Sequence, residues 1–196
     1  MKKDLKFSFK IYLILLFSFN FMVGQTKLDQ FDITDDNKQI ALCFYNDTMV
    51  RFIDNSNSKS YLLKPRIGHI KKLSISDDNK QIVMLSDQNK LAVFSIENLS
   101  FTFSLDNITD AVQKGNALYT SGNDGVVSVF DFPSMKLLKK LSTHENEINS
   151  ICVNKNQTEI LVGGKDGWLK IIDLNKNTVK TETLLLNFEE PLQVYY

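Results

Sequence analysis

Little in this chain of 196 residues is equipped for chemistry at a reactive centre. Only two histidines are present, and neither stands beside a plausible nucleophile, so acid–base or nucleophilic catalysis has no visible actors. No HExxH or GxSxG motif occurs. Gly163-Gly164-Lys165 is not a phosphate loop, because it lacks the first glycine at the required spacing and a strand pattern follows it. There are two cysteines, Cys43 and Cys152, each inside an apolar strand pattern (IALCF and SICV) and far from any metal-type partner, which reads as buried thiols. A bond between them is the alternative, and it would require the two ends of the chain's repeat array to meet. The formal net charge is zero, so no basic face is on offer to nucleic acid. The local cluster Lys136, Lys139 and Lys140 reads as a solvated strand edge, where lysine also blocks unwanted pairing.

What is present is enough apolar material, 43% of residues, for one packed domain and too much for a disordered chain. At the start, Lys2, Lys3, Lys6 and Lys10 precede the apolar run Ile11 to Val23, and Gly24-Gln25-Thr26 follows. This order is that of a secretory signal peptide over residues 1–25, with the signal helix removed on export. The run is shorter than the roughly 20 residues of a comfortable membrane span. An uncleaved signal anchor is the alternative, and membrane contact would then come only through this segment. The mature chain is expected outside the cytosol, secreted or periplasmic.

One short phrase occurs twice: SGNDGVVSVFDF from Ser121 and GGKDGWLKIIDL from Gly163. Each has an Asp-Gly turn, alternating apolar residues and a closing aspartate, which is a hairpin signature followed by a strand. Asp166 follows Asp124, and Asp173 follows Asp131, by the same 42 residues. A period of about 40 to 45 residues is the length of a four-stranded propeller blade. Two anchors extend the pattern to four copies. The first is a turn between strands a and b, with Ile33/Ile40, Ile75/Ile82, Ala111/Leu118 and Val153/Ile160 all seven residues apart. The second is the end of strand c, at Asp54, Ser95, Asp131 and Asp173. Strand b is nearly continuous in apolar residues, which means that both faces are covered, while the fourth strand of each copy is polar and faces solvent. The third copy has lost six residues, so a shortened loop is expected before it.

These residues resemble the WD-repeat (WD40-like) β-propeller family. Phe130-Asp131 and Ile172-Asp173 stand where that family writes Trp-Asp, and Thr143-His144 stands where it writes Gly-His, with Val153 nine residues later. The resemblance implies an all-β fold, a partial or small propeller of about four four-stranded antiparallel blades over 28–64, 65–105, 106–142 and 143–186. The start of a fifth blade follows at 187–196, so the repeat region spans 28–196. It also implies that His144 and Asp166 belong to a structural hydrogen-bond network from the loop before strand a to the b–c turn. That network is incomplete here, because Gly163 fills the serine or threonine position and Ile172 the tryptophan position. His69 follows a glycine too, but it precedes Ile75 by six residues where His144 precedes Val153 by nine. Arg66 holds the corresponding register, and His69 is given no role.

Asp47, Asp124 and Asp166 each stand seven residues before a closing acid, and a turn aspartate that accepts backbone N–H groups explains all three without a metal. The expectation is therefore a non-enzymatic protein-binding scaffold with no catalytic residue, cofactor or metal site. Its partner is a protein not identified by the sequence, and its open blade faces are candidates for self-association. The alternatives are the propeller part of a secreted enzyme, quinoprotein-like or accessory to a hydrolase, and a truncated fragment. The single tryptophan, Trp168, argues against the quinoprotein, which would be expected to repeat tryptophan docking motifs.

Overall fold

A computed structural model describes residues 27–45 and 47–185. The signal segment and helix expected at 1–25 and the fifth-blade start expected at 187–196 lie outside the described residues. The described part is all β, in four antiparallel sheets of four strands. The first blade is β1 (Leu28–Ile33), β2 (Gln39–Phe44), β3 (Val50–Asp54) and β4 (Lys59–Leu63). The second is β5 (Ile70–Ile75), β6 (Gln81–Ser86), β7 (Leu91–Ser95) and β8 (Ser100–Leu105). The third is β9 (Ile108–Lys114), β10 (Ala117–Gly122), β11 (Val126–Asp131) and β12 (Lys136–Ser142). The fourth is β13 (Ile148–Val153), β14 (Glu159–Gly164), β15 (Trp168–Asp173) and β16 (Thr178–Leu184). In every blade the strands lie in chain order, the simple meander that short polar turns impose, and the arrangement is consistent with a β-propeller.

Local chemistry sets the turns. Between strands a and b of three blades a polar side chain caps the hairpin: the N–H groups of Gln39, Gln81 and Glu159 donate to Thr34 Oγ1, Ser76 Oγ and Asn154 Oδ1 at 3.1, 2.9 and 3.1 Å. The third blade does this differently, and here the register departs from the seven-residue spacing. Leu118 pairs with Gln113, not Ala111, because β9 runs on to Lys114 and turns at Gly115, whose φ of 54° suits a residue without Cβ. The third strand a is thus a full strand displaced by two residues from the sequence alignment. The loop before it is shortened as expected, to Asp106-Asn107.

Packing follows the alternation of side chains across each sheet. Ala41, Val50 and Phe52 on one face of blade 1 cluster with Leu73, Ile82 and Phe94 of blade 2. Val83, Leu91 and Val93 of blade 2 meet Ala111, Leu118 and Phe130 of blade 3. Tyr119, Val127 and Val129 of blade 3 meet Ile151, Ile160 and Ile172 of blade 4. The middle strands are therefore buried on both faces, which is why β2, β6 and β10 carry unbroken or nearly unbroken apolar runs. Strands β4, β8, β12 and β16 form the rim, and every described side chain of β16 is exposed. Among the described residues, no strand of blade 4 packs against blade 1 to the extent that consecutive blades pack.

Candidate functional site

The b–c turns and the linkers between blades lie at one end of the sheets, and the best-built part of that end surrounds His144. Thr143 and His144 both donate their N–H groups to the Gly125 carbonyl, at 3.0 and 3.2 Å, and the Thr143 hydroxyl donates there as well, at 3.2 Å. Gly125 can receive them because it sits at φ 72° and has no side chain; a Cβ there would collide with the His144 carbonyl. On the other side His144 Nδ1 donates to both oxygens of Asp166, at 3.1 and 3.0 Å. Gly164 is required here in the same sense, since its Cβ would meet Asp166 Oδ1 and His144 Nδ1. Two glycines of two successive Asp-Gly turn regions thus bracket one imidazole.

The His144 side chain is fully buried, and among the described residues its Nε2 has no hydrogen-bond partner. Strand b explains the vacancy: Gly163 pairs with Ser150 and Leu169, and the same position in blade 3 is Ser121, which carries a hydroxyl. Burial pushes the Asp166 carboxyl up, but the hydrogen bonds from His144 and from the Trp168 N–H, at 3.0 Å, outweigh it and leave the pKa below the usual carboxylate value. Asp47 and Asp124 have the same local role: each accepts the N–H of the residue two further on, Met49 at 3.0 Å and Val126 at 3.1 Å. Only Asp166 also holds a histidine. The three aspartates singled out in the sequence therefore occupy equivalent b–c turns of blades 1, 3 and 4, His144 lies in the linker before blade 4, and of these four residues the structure brings together His144 and Asp166.

His69 aligns with Glu147 and not with His144. The N–H of Asp87 donates to the His69 carbonyl at 2.9 Å as the N–H of Lys165 donates to the Glu147 carbonyl at 2.8 Å. Arg66, three residues earlier, is the counterpart of His144 and is exposed. Blade 3 has no counterpart, because its linker is only Asp106-Asn107. The space that a longer linker would fill is a cleft of about 620 Å³ beside Thr120, Asn123, Asp124, Ser128 and Lys140. Around it the end of the blades is polar and of mixed charge, with Glu147 paired to Lys165 at 3.3 Å and Asp87, Gln88 and Glu145 exposed.

Two residues that the sequence did not single out hold the blades to one another. Asp110 is buried on β9; its Oδ1 accepts the N–H of Ala111 at 2.8 Å and Lys72 Nζ at 2.6 Å, and its Oδ2 accepts the N–H of Ile151 at 2.9 Å. Asp32 on β1 repeats the device, accepting the N–H of Ile33 at 2.9 Å and that of Ile75 at 2.8 Å. Cys43 is buried and Cys152 half-buried. Among the described residues, no three His, Cys, Asp or Glu side chains converge to hold a metal ion. No helix among them is long and apolar enough to cross a membrane.

Comparison with known proteins bears on this geometry. The family described as WD domain, G-beta repeat matches residues 135–173, the stretch from the rim of blade 3 through His144 and Asp166 to the end of β15. The chain is 28% identical over 127 residues to the GATOR2 complex protein Wdr24 of Drosophila melanogaster, covering 56% of this chain and 16% of that protein. It is 26% identical over 115 residues to the WD40 repeat-containing protein smu1 of Dictyostelium discoideum, covering 55% of this chain and 22% of that protein. With the COMPASS component SWD3 of Saccharomyces cerevisiae it shares 26% identity over 152 residues, 72% of this chain and 47% of the relative. The chain thus spans less than half the length of each of these relatives. The matched repeat, the four four-stranded blades and these relatives support a WD-repeat family for the chain.

Proposed function

We propose that this chain is a non-enzymatic protein-binding scaffold that presents the linker and b–c turn end of its WD40-like blades to a protein partner. The observation that carries this reading is the rigid seating of that end. The Thr143-His144 linker is pinned by three hydrogen bonds to Gly125 and by the His144–Asp166 pair, so the exposed polar groups around it are held in fixed positions. Preorganised polar groups beside a recess are what a partner's loop needs, since little ordering entropy remains to be lost on binding. The cleft left by the short linker before β9 is the natural place for an inserted side chain. Two of the relatives are named as members of complexes, GATOR2 and COMPASS, which supports a role in assembly.

The scaffold is assigned to an extracytoplasmic compartment, secreted or periplasmic, on the order of basic and apolar residues in 1–25. Self-association through open blade faces is part of the same reading. The test uses the full chain expressed in a host that exports it. Material recovered outside the cytosol should lack roughly the first 24 to 26 residues by intact mass, as expected for signal-peptide removal. A partner cross-linked to that material should be lost from the double variant Asn123→Arg, Lys140→Glu with no change in thermal midpoint. Retention of the same partner by that variant would refute the assignment of the binding end.

A further inference from the structure

Where the chain passes from blade 1 to blade 2, a cleft of about 720 Å³ lies between the linker 64–67 and strands β7 and β8. It is at an internal junction, and both of its walls are among the described residues. One pair of positions explains its size. Three residues before the closing residue of strand c, and paired across to the rim strand, stand Arg51 with Leu62 in blade 1, Ser128 with Lys140 in blade 3 and Lys170 with Glu182 in blade 4. In blade 2 the pair is Ala92 with Ser104, both small and both neutral. Without a long side chain at either place, the floor of the cleft stays open.

The walls carry charge of one sign. The linker reads Lys64-Pro65-Arg66-Ile67, and β7 and β8 contain no charged residue. Lys64 and Arg66 both line the cleft and both are exposed. Among the described residues neither forms an ion pair. Asp87 and Asp106, in the adjoining turn and the next linker, do not line the cleft. The missing acid has a definite place: seven residues before the closing residue of strand c stand Asp47, Asp124 and Asp166, but in blade 2 the residue is Gln88. Arg66 is the counterpart of His144, which Asp166 holds in a buried position. With glutamine in place of that acid, Arg66 has no such pairing and stays in solvent.

An apolar platform stands in the same cleft. Phe101 is 42% exposed and is held by edge-on packing against Phe94, with ring centroids 5.2 Å apart. A ring already fixed in this way loses little freedom on binding. We propose that the cleft takes a segment of a protein partner in which aspartate or glutamate stands beside an apolar side chain. The carboxylates meet Lys64 and Arg66, and the apolar group lies on Phe101, so that charge and surface are both complementary. The proposal rests on the scaffold reading for the partner's being a protein, and it adds a contact at a different junction from the cleft before β9. Nucleic acid fits less well, because two cations in a chain of zero net charge give a phosphate backbone nothing to follow beyond the cleft.

The test is fluorescence anisotropy on the purified full-length chain with labelled peptides of alternating glutamate and leucine, glutamine and leucine, and glutamate and serine. The glutamate–leucine peptide should bind best of the three, and more weakly as salt is raised. Lys64→Gln, Arg66→Gln should weaken that binding about tenfold, as expected of two exposed charge pairs. Where circular dichroism shows this variant unfolded, Lys64→Gln, Arg66→Gly replaces it, since glycine is at ease at the φ of 57° that residue 66 adopts. The charge-matched control Lys136→Gln, Lys155→Gln should bind the peptide as the wild type does. A glutamate–leucine peptide that does not bind, or that binds the cleft variant as well as the wild type, would overturn the proposal. So would an equal loss in the control, or a single-stranded oligonucleotide bound as tightly as the peptide, since either result means attraction by charge alone. The two readings fail separately: absence of peptide binding overturns this one, whereas retention of the cross-linked partner by Asn123→Arg, Lys140→Glu overturns the other.

Discussion

Asp110 on the inner strand of blade 3 accepts the backbone N–H of Ile151 on the inner strand of blade 4, 2.9 Å away. The same carboxylate takes the N–H of its own neighbour Ala111, so one side chain ties two strands of different sheets at the same level. An inner strand is a sheet edge, and its outward N–H groups have no ladder partner. An aspartate supplies the missing acceptor. Asp32 does this between blades 1 and 2, through Ile33 and Ile75.

Replacing Asp110 by alanine should cost about 3 kcal/mol or more, because two backbone N–H groups and the Lys72 ammonium lose a charged acceptor in a buried place. Asp110→Asn should cost less, since the amide keeps one acceptor oxygen. Asp32→Ala, with fewer partners and more solvent, should fall near 1 to 2 kcal/mol. Urea unfolding of the three variants orders them; equal losses would show that the inter-blade bonds contribute no more than a turn does.

For Asp166 the expectation has a pH signature. Its carboxyl lies below the ordinary value in the folded chain, so it contributes stability that is present above the unfolded pKa of 3.8 and lost as pH falls through the lower folded value. Asp166→Ala should therefore be less stable than the wild type at neutral pH by about 1 to 3 kcal/mol, from the unpaired buried His144. That gap should shrink in acid, below the ordinary carboxylate range. Thermal midpoints of both proteins from pH 7 downward measure it, and a gap that stays constant would separate the loss from the carboxylate's charge.

Four residues after the end of strand c each blade places a left-handed residue, Ser58, Leu99, Met135 and Asn177, with φ of 57, 48, 54 and 56°. Asparagine tolerates this conformation, whereas an exposed leucine gains nothing in return for adopting it. Leu99→Gly or Leu99→Asn should raise stability by about 0.5 to 1 kcal/mol. A lowered denaturation midpoint for both would contradict the assignment of strain to that turn.

Cys43 should resist modification. Burial pushes its thiol up to about 11, with Asp47 and Asp29 adding to the effect, so little thiolate exists near pH 8. Iodoacetamide should label it in the folded chain far more slowly than after urea is added, as peptide mapping would show. Equal rates in both states would mean that β2 is open to solvent.

The repeating unit was legible because its determinants are local. Asp-Gly turns, the apolar run of strand b and the closing residue of strand c all lie within a dozen residues of one another, and β11 and β15 end at Asp131 and Asp173 as read. The structure also places His144 within hydrogen-bond reach of Asp166, a pair that only the resemblance to a family, and not either segment's own pattern, had put together. The register of the third inner hairpin was not legible. Counting seven residues from Ala111 to Leu118 ignored that Gly115-Asn116 closes a two-residue turn between Lys114 and Ala117, where the other blades use a longer loop, and that shorter turn shifts every partner in β9 by two.

By itself, then, the amino-acid order determined strands, turns and their period, since these rest on backbone sterics and on alternation along one segment. Which blade faces are covered, and which carboxylate reaches across a junction, were decided only by the tertiary structure. Asp110 and Ile151 are 41 residues apart, and nothing in either strand's own pattern distinguishes an aspartate that serves the next blade from one that faces water. The same holds for Leu161 and Ile171. Their composition matches that of Val83 and Val93, yet one pair is buried and the other half-buried, a difference set by what packs on each sheet and not by the strands themselves.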